Sequence, residues 1–168
     1  MRDPALRVEV LLDKLEAELR LKIEHRGLSN PAMIGIHTGG AWIASRLHGR
    51  LGLHEPLGLL NISFYRDDFS QIGMHPQVKP SSLPFRVEGR DIILIDDVLY
   101  TGRTIRAALN EIFDYGRPAQ VLLGVLIERD GRQIPVQADC IGGRIELAAN
   151  QRIKLTGPEP LELRIASI

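Results

Sequence analysis

A single cysteine, Cys140, stands among 168 residues, which excludes an intrachain disulfide and a cysteine-rich metal site. Net charge is missing as well: 21 basic and 21 acidic side chains cancel. No bulk attraction therefore draws the chain to nucleic acid, although a neutral total can hide a local basic face. Long apolar runs are absent. The longest, residues 121–127, is broken by Gly124 and falls far short of the roughly 20 residues a membrane span needs. Met1 leads straight into charged sequence with no apolar signal-peptide core. No internal repeat, low-complexity tract or linker interrupts the chain. What remains, 44% hydrophobic and 25% charged residues, is the composition of a globular protein. The expectation is one compact cytoplasmic domain, residues 1–168, with no membrane partner.

Helical and strand periodicities alternate along this chain. Val8, Leu11, Leu12, Leu15 and Leu19 recur at helical spacing, with Asp3 and Pro4 as a start signal, and predict a helix over residues 8–24. Residues 32–36 read as a buried strand, 41–51 as a helix stopped by Gly52, and 57–64 as a second strand. Residues 65–89 carry Pro76, Pro80 and Pro84 without clean periodicity and predict a long loop of the lid or binding type. Residues 91–95 are the clearest strand. A helix around Ile105, Ala108, Leu109, Ile112 and Phe113, then a buried strand at 120–127, complete the core. Short β-like stretches at 134–138 and 152–155 suggest a smaller β-rich appendage over roughly the last forty residues. Strands alternating with helices predict an α/β domain with a mainly parallel central sheet flanked by helices.

One segment carries chemistry. Ile92, Ile93, Leu94 and Ile95 run directly into Asp96 and Asp97, followed by Val98, Leu99, Tyr100, Thr101, Gly102, Arg103 and Thr104. Two buried, unpaired carboxylates would be strongly unfavourable, so the pair is expected where the strand leaves the sheet. In parallel α/β sheets that rim is where ligands bind. Adjacent acids there suit a vicinal diol or Mg²⁺. The Thr-Gly-Arg-Thr run opening the next helix suits an anion held by backbone N–H groups. A phosphate beside a carboxylate pair describes a sugar phosphate. Taken singly, each residue has an ordinary role: Asp97 in a turn, Thr101 or Thr104 as an N-cap. Neither a G-x-G-x-x-G after a strand nor a G-x-x-x-x-G-K-[ST] is present.

Residues 92–104 resemble the phosphoribosyl-diphosphate (PRPP) motif of type I phosphoribosyltransferases. Their extended form resembles the PyrR branch, pyrimidine operon regulators with uracil phosphoribosyltransferase activity. Residues 35–40, 62–68 and 129–142 fall in the order of that branch. The resemblance implies a type I phosphoribosyltransferase fold with a flexible loop at about 65–90 and a β-rich hood at about 128–168. It implies that Asp96 and Asp97 are catalytic, holding the ribose hydroxyls and Mg²⁺ directly or through water, and that residues 101–104 cradle the 5′-phosphate. His37, Thr38, Gly39 and Gly40 fall at the pyrophosphate loop. The branch more usually has Lys or Pro, then Thr-Arg-Gly, so a cation is missing here at Gly39. Tyr65, Arg66 and Asp67 fall on the flexible loop, and Ile127, Arg129 and Ile153 on the hood that covers the base. Tyr100 stands where purine-using relatives often carry an acid, which favours a pyrimidine.

The implied reaction is uracil plus PRPP giving UMP and pyrophosphate, in a homodimer or larger homo-oligomer. Two alternatives stand beside it: a regulator binding pyrimidine-operon leader RNA, and a phosphoribosyltransferase for another base. RNA candidates are Arg26, Arg132, Arg144 and Arg152, whereas Gln137 and Gly143 occupy positions that tend to be basic in RNA-binding members. Trp42 reads as core or interface packing. His25, His48, His54 and His75 read as surface residues, and Cys140 as a small buried hydrophobe.

Overall fold

The computed structural model describes residues 6–62 and 81–168. Helix α1 (Val8–His25) buries Val8, Leu11, Leu12, Leu15 and Leu19, the stripe its spacing predicts. The fully buried Leu12, Leu15 and Leu19 each contribute about 1.5–3 kcal/mol of transfer free energy. The helix follows Arg7 at φ −76°, ψ 115°, with no side-chain cap; Asp3 and Pro4 lie outside the described residues. Helix α2 (Gly39–Leu51) ends, as expected, at Gly52 in the left-handed conformation, φ 61°.

Among the described residues five parallel strands form one sheet: β1 (Ala32–Ile36), β2 (Gly58–Leu60), β3 (Asp91–Leu99), β4 (Gln120–Arg129) and β5 (Cys140–Ile145). Their order is β2-β1-β3-β4-β5. Helix α3 (Arg103–Tyr115) connects β3 to β4. Successive side chains of β3 alternate between faces: Ile93 and Ile95 join the core under α1 and α2, while Ile92 and Leu94 join the core under α3. The order reverses between β1 and β3, since β2 lies on one side and β4 and β5 on the other. A crevice at the carboxyl ends of β1 and β3 follows from that reversal.

Three details depart from the sequence expectation. Strand β3 continues to Leu99, with Asp96 opposite Val125 and Val98 opposite Ile127, so the acid pair sits within the strand rather than beyond it. Residues 140–145 form β5 inside the main sheet, although Gly142 and Gly143 read as breakers. A Cβ on Gly142 would lie 2.5 Å from the Leu126 oxygen and 2.8 Å from the Leu11 oxygen; glycine there lets α1 press onto the sheet. The β-rich appendage is consequently smaller than residues 128–168: it is the antiparallel hairpin β6 (Gln151–Thr156) and β7 (Glu162–Ser167). Residues 134–138, expected to be β-like, belong to no strand.

The end of the expected loop is packed. Leu59 and Ser82 exchange two backbone hydrogen bonds of 2.8 Å, and Val87 is buried against the core that α3 covers. The remainder, with Tyr65, Arg66 and Asp67, lies outside the described residues. Among the described residues no helix is long and apolar enough to cross a membrane.

Candidate active site

Two strand-to-helix turns meet at the crevice. The first joins β3 to α3. Gly102 takes the N-cap position at φ 93°, a backbone conformation that glycine adopts without steric cost. A Cβ there would also come 2.9 Å from Ile134. Thr101 is buried, and its Oγ1 accepts a hydrogen bond from the Arg103 backbone N–H at 3.2 Å. Its carbonyl accepts from the N–H groups of Gln133 (2.9 Å) and Ile134 (3.3 Å). Arg103 is exposed and donates from Nε to Gln133 Oε1 at 3.0 Å. Residues 132–136 thus back the turn, which is the work of a segment that forms no strand.

The second turn joins β1 to α2. The His37 N–H donates to the Leu60 oxygen at 2.8 Å, and the His37–Thr38 peptide is cis. Gly39 and Gly40 then touch the acid pair across the crevice. A Cβ on Gly39 would lie 2.1 Å from Asp97 Oδ2; one on Gly40 would lie 2.8 Å from the Ile95 oxygen and 3.0 Å from the Asp96 Cα. The space a side chain at 39 would need is filled by the Asp97 carboxylate, at the N-terminal turn of a helix, where negative charge is favoured.

Asp96 is only 2% exposed, and its Oδ1 accepts from the Asp97 N–H at 2.9 Å. Asp97 is half-buried, and its Oδ1 accepts from the Val98 N–H at 2.9 Å. Both acids line a cavity of about 630 Å³ that Thr38, Gly39, Thr101, Gly102 and Thr104 also line. An acid pair between two N–H-bearing turns can bind a diol flanked by two anions.

The opposite wall is the hairpin, through Gln151, Arg152, Ile153, Lys154 and Leu155. Arg129, only 8% exposed, sits with its guanidinium carbon 3.9 Å from the centre of the Tyr100 ring. Its Nη1 donates to the Gln151 oxygen at 3.4 Å, and its buried Nε has no hydrogen-bond partner among the described residues. Ile153 lines the cavity, as expected for a hood residue. Ile127, expected on the hood, does not line the cavity: it is buried in the core under α1, with Leu11 and Leu126. Val98 and Leu99 line the cavity while also packing on the two cores.

Trp42 packs on the core under α1 and also lines the cavity. Helical spacing exposed only its packing role. Gln151 went unnoticed, since short strands of ordinary composition carry no chemical signal. The RNA candidates engage different partners. Arg26 pairs with Asp139 at 2.5 Å. Arg132 and Arg144 both bind Glu128, each at 2.8 Å, and Arg152 is exposed on the cavity wall. His48, read as a surface residue, is half-buried, with Nε2 2.7 Å from the Glu55 oxygen. Cys140 is fully buried; burial pushes its thiol up to about 12, and Glu18 and Asp139 add to the shift. It remains a protonated thiol at neutral pH. Among the described residues no group of three or more His, Cys, Asp or Glu gathers as a metal cluster.

The fold and this cavity carry the marks of one class of protein, and comparison with known proteins agrees. The chain belongs to the phosphoribosyl transferase domain family, whose model matches residues 7–157. It resembles in fold a hypoxanthine-guanine phosphoribosyltransferase from Bacillus anthracis, with a TM-score of 0.66, 20% identity, and coverage of 86% of this chain and 85% of that one. A purine phosphoribosyltransferase from Pyrococcus horikoshii gives a TM-score of 0.60 at 21% identity, covering 80% and 84%. Sequence narrows the family. A protein named Bifunctional protein PyrR from Nitrosococcus oceani is 57% identical over 98% of this chain and 94% of its own length. A protein of the same name from Pseudomonas putida is 55% identical over 91% and 89%. The resemblance to the PyrR branch, and with it phosphoribosyltransferase activity, is borne out.

Proposed function

We propose that the chain transfers the phosphoribosyl group of PRPP to uracil, releasing UMP and pyrophosphate. The observation that carries this reading is the convergence of the acid pair and both glycine turns on one cavity. Asp96 and Asp97 accept hydrogen bonds from the ribose hydroxyls. Residues 101–104 hold the 5′-phosphate, and the backbone of Thr38, Gly39 and Gly40 faces the pyrophosphate. In the reaction the C1–oxygen bond to pyrophosphate breaks, a C1–N1 bond to uracil forms, and the N1 proton leaves the base. Positive charge develops at C1, and the role of the two carboxylates is to stabilise it.

Mg²⁺ suits this donor set, because it is commonly held by one or two carboxylates completed by water and substrate phosphates. Asp96 and Asp97 are the residues that would hold it, and bound there it would offset charge on the leaving group. Arg129 stacks on Tyr100 at the hood side, where Ile153 and Trp42 provide apolar cover for a flat base. A tyrosine rather than an acid at position 100 supports a pyrimidine.

The test is pyrophosphate release from PRPP with free bases supplied in turn. Uracil should give the highest kcat/KM. A purine outranking it overturns the base assignment, and no release with any base overturns the reaction.

A second role rests on the word bifunctional in the names of the relatives. Leader-RNA binding is supported by the exposed side chains of Arg144 and Arg152. Such binding should weaken steeply with salt and respond to UMP; binding insensitive to both removes this reading.

A further inference from the structure

Arg132 was read from the sequence as an RNA contact, yet its side chain turns inward. Nη2 pairs with Glu128 Oε1 at 2.8 Å, and Nη1 donates to the carbonyl oxygen of Tyr100. The next carbonyl, that of Thr101, is held by the Gln133 and Ile134 N–H groups. Two consecutive carbonyls of the β3–α3 turn are therefore pinned on one short segment. Neither peptide is cis. In a trans peptide the C=O and the N–H of the following residue point in opposite directions. Pinning the Tyr100 and Thr101 carbonyls consequently aims the Thr101 and Gly102 N–H groups away from residues 132–134. Both residues line the cavity.

We propose that Arg132, oriented by Glu128, is a positioning residue for the anion-binding turn: it sets the Tyr100–Thr101 peptide so that its N–H meets the 5′-phosphate. The inference rests on the reading of residues 101–104 as the 5′-phosphate site. A second effect runs in the same direction. A guanidinium on the carbonyl polarises the peptide, strengthening the N–H at its other end as a donor. Glu128 offsets the cation's charge and fixes its rotamer. It also binds Arg144 Nε at 2.8 Å, so its two oxygens hold two arginines and it has little freedom to turn away.

The experiment compares Arg132→Ala and Arg132→Lys with the unaltered protein. Equilibrium binding of ribose 5-phosphate and, separately, of pyrophosphate is measured beside KM for PRPP and uracil. Loss of one charged hydrogen bond should weaken ribose 5-phosphate binding, and raise KM for PRPP, by about ten-fold. Pyrophosphate affinity and KM for uracil should move by less than about two-fold, and Arg132→Lys should recover part of the loss. Equal weakening of both ligands, or unchanged ribose 5-phosphate binding, overturns the proposal. An unaltered protein that binds pyrophosphate but not ribose 5-phosphate overturns the reading of the turn itself. If Arg132→Ala does not fold, Glu128→Gln carries the same comparison, with about a three-fold loss expected for ribose 5-phosphate alone; no loss overturns the proposal.

Discussion

The two turns flanking the acid pair do the same kind of work by opposite means. The β3–α3 turn is held by groups that reach in: Arg132, the N–H groups of Gln133 and Ile134, and the Gln133 amide all bond to it. The β1–α2 turn is defined by what it leaves out. Gly39 and Gly40 carry no side chain, and the space is taken by Asp97, Asp96 and the Ile95 carbonyl. One turn is oriented by hydrogen bonds from a neighbouring segment and the other by close backbone approach. They should fail differently when altered.

The largest effect is expected where both turns share a partner. Asp96→Asn with Asp97→Asn keeps shape and hydrogen-bond acceptors while removing both charges, and should lower kcat/KM for PRPP by about 10³-fold. Circular dichroism should be unchanged; a smaller kinetic loss would mean that the turns alone recognise the sugar. Next come the two glycines, which separate function from fold within one turn. Gly39→Ala collides with the movable end of Asp97, so kcat should fall about 10- to 100-fold with little change in the urea midpoint. Gly40→Ala collides with backbone instead, and should destabilise the protein by about 1–3 kcal/mol, read from the same midpoint. If both variants lose only stability, the close-approach account of this turn fails. The smallest effect belongs to the hydrogen-bonded turn. Gln133→Ala removes its amide bond to Arg103 but keeps its backbone N–H on Thr101, and should raise KM for PRPP no more than about two-fold. A ten-fold rise would place the control of this turn in the Gln133 side chain instead of the backbone and Arg132.

Much of the scaffold was legible because periodicity reports burial directly. The stripe of α1, the unbroken apolar run of β3 and the helical stop at Gly52 each follow from local rules. The acid pair and the glycine that opens α3 were legible because residue type and order together demand a ligand. Three things were not. Cys140 to Ile145 looks like a turn-rich stretch, since Gly142 and Gly143 weaken any strand signal; their purpose appears only when α1 lies across them. Ile127 stands two residues from Arg129 on the same strand and was placed with it at the hood, but Arg129 lines the cavity while Ile127 packs into the core under α1. Arg132 looks like a surface cation until Glu128, a strand residue, and the Tyr100 carbonyl are seen to hold it.

By itself, the sequence determined the alternation of helices and parallel strands and the position of the acid pair ahead of a glycine-opened turn. These depend on neighbours within a few residues: spacing, caps, and charges that apolar strands cannot bury unpaired. Only the tertiary structure decided that Gly39 makes room for the Asp97 carboxylate and that Arg132 bonds the Tyr100 carbonyl. Only it decided that residues 151–155 close the far wall. Such contacts join segments thirty or more residues apart, and no local pattern encodes a distance across the sheet.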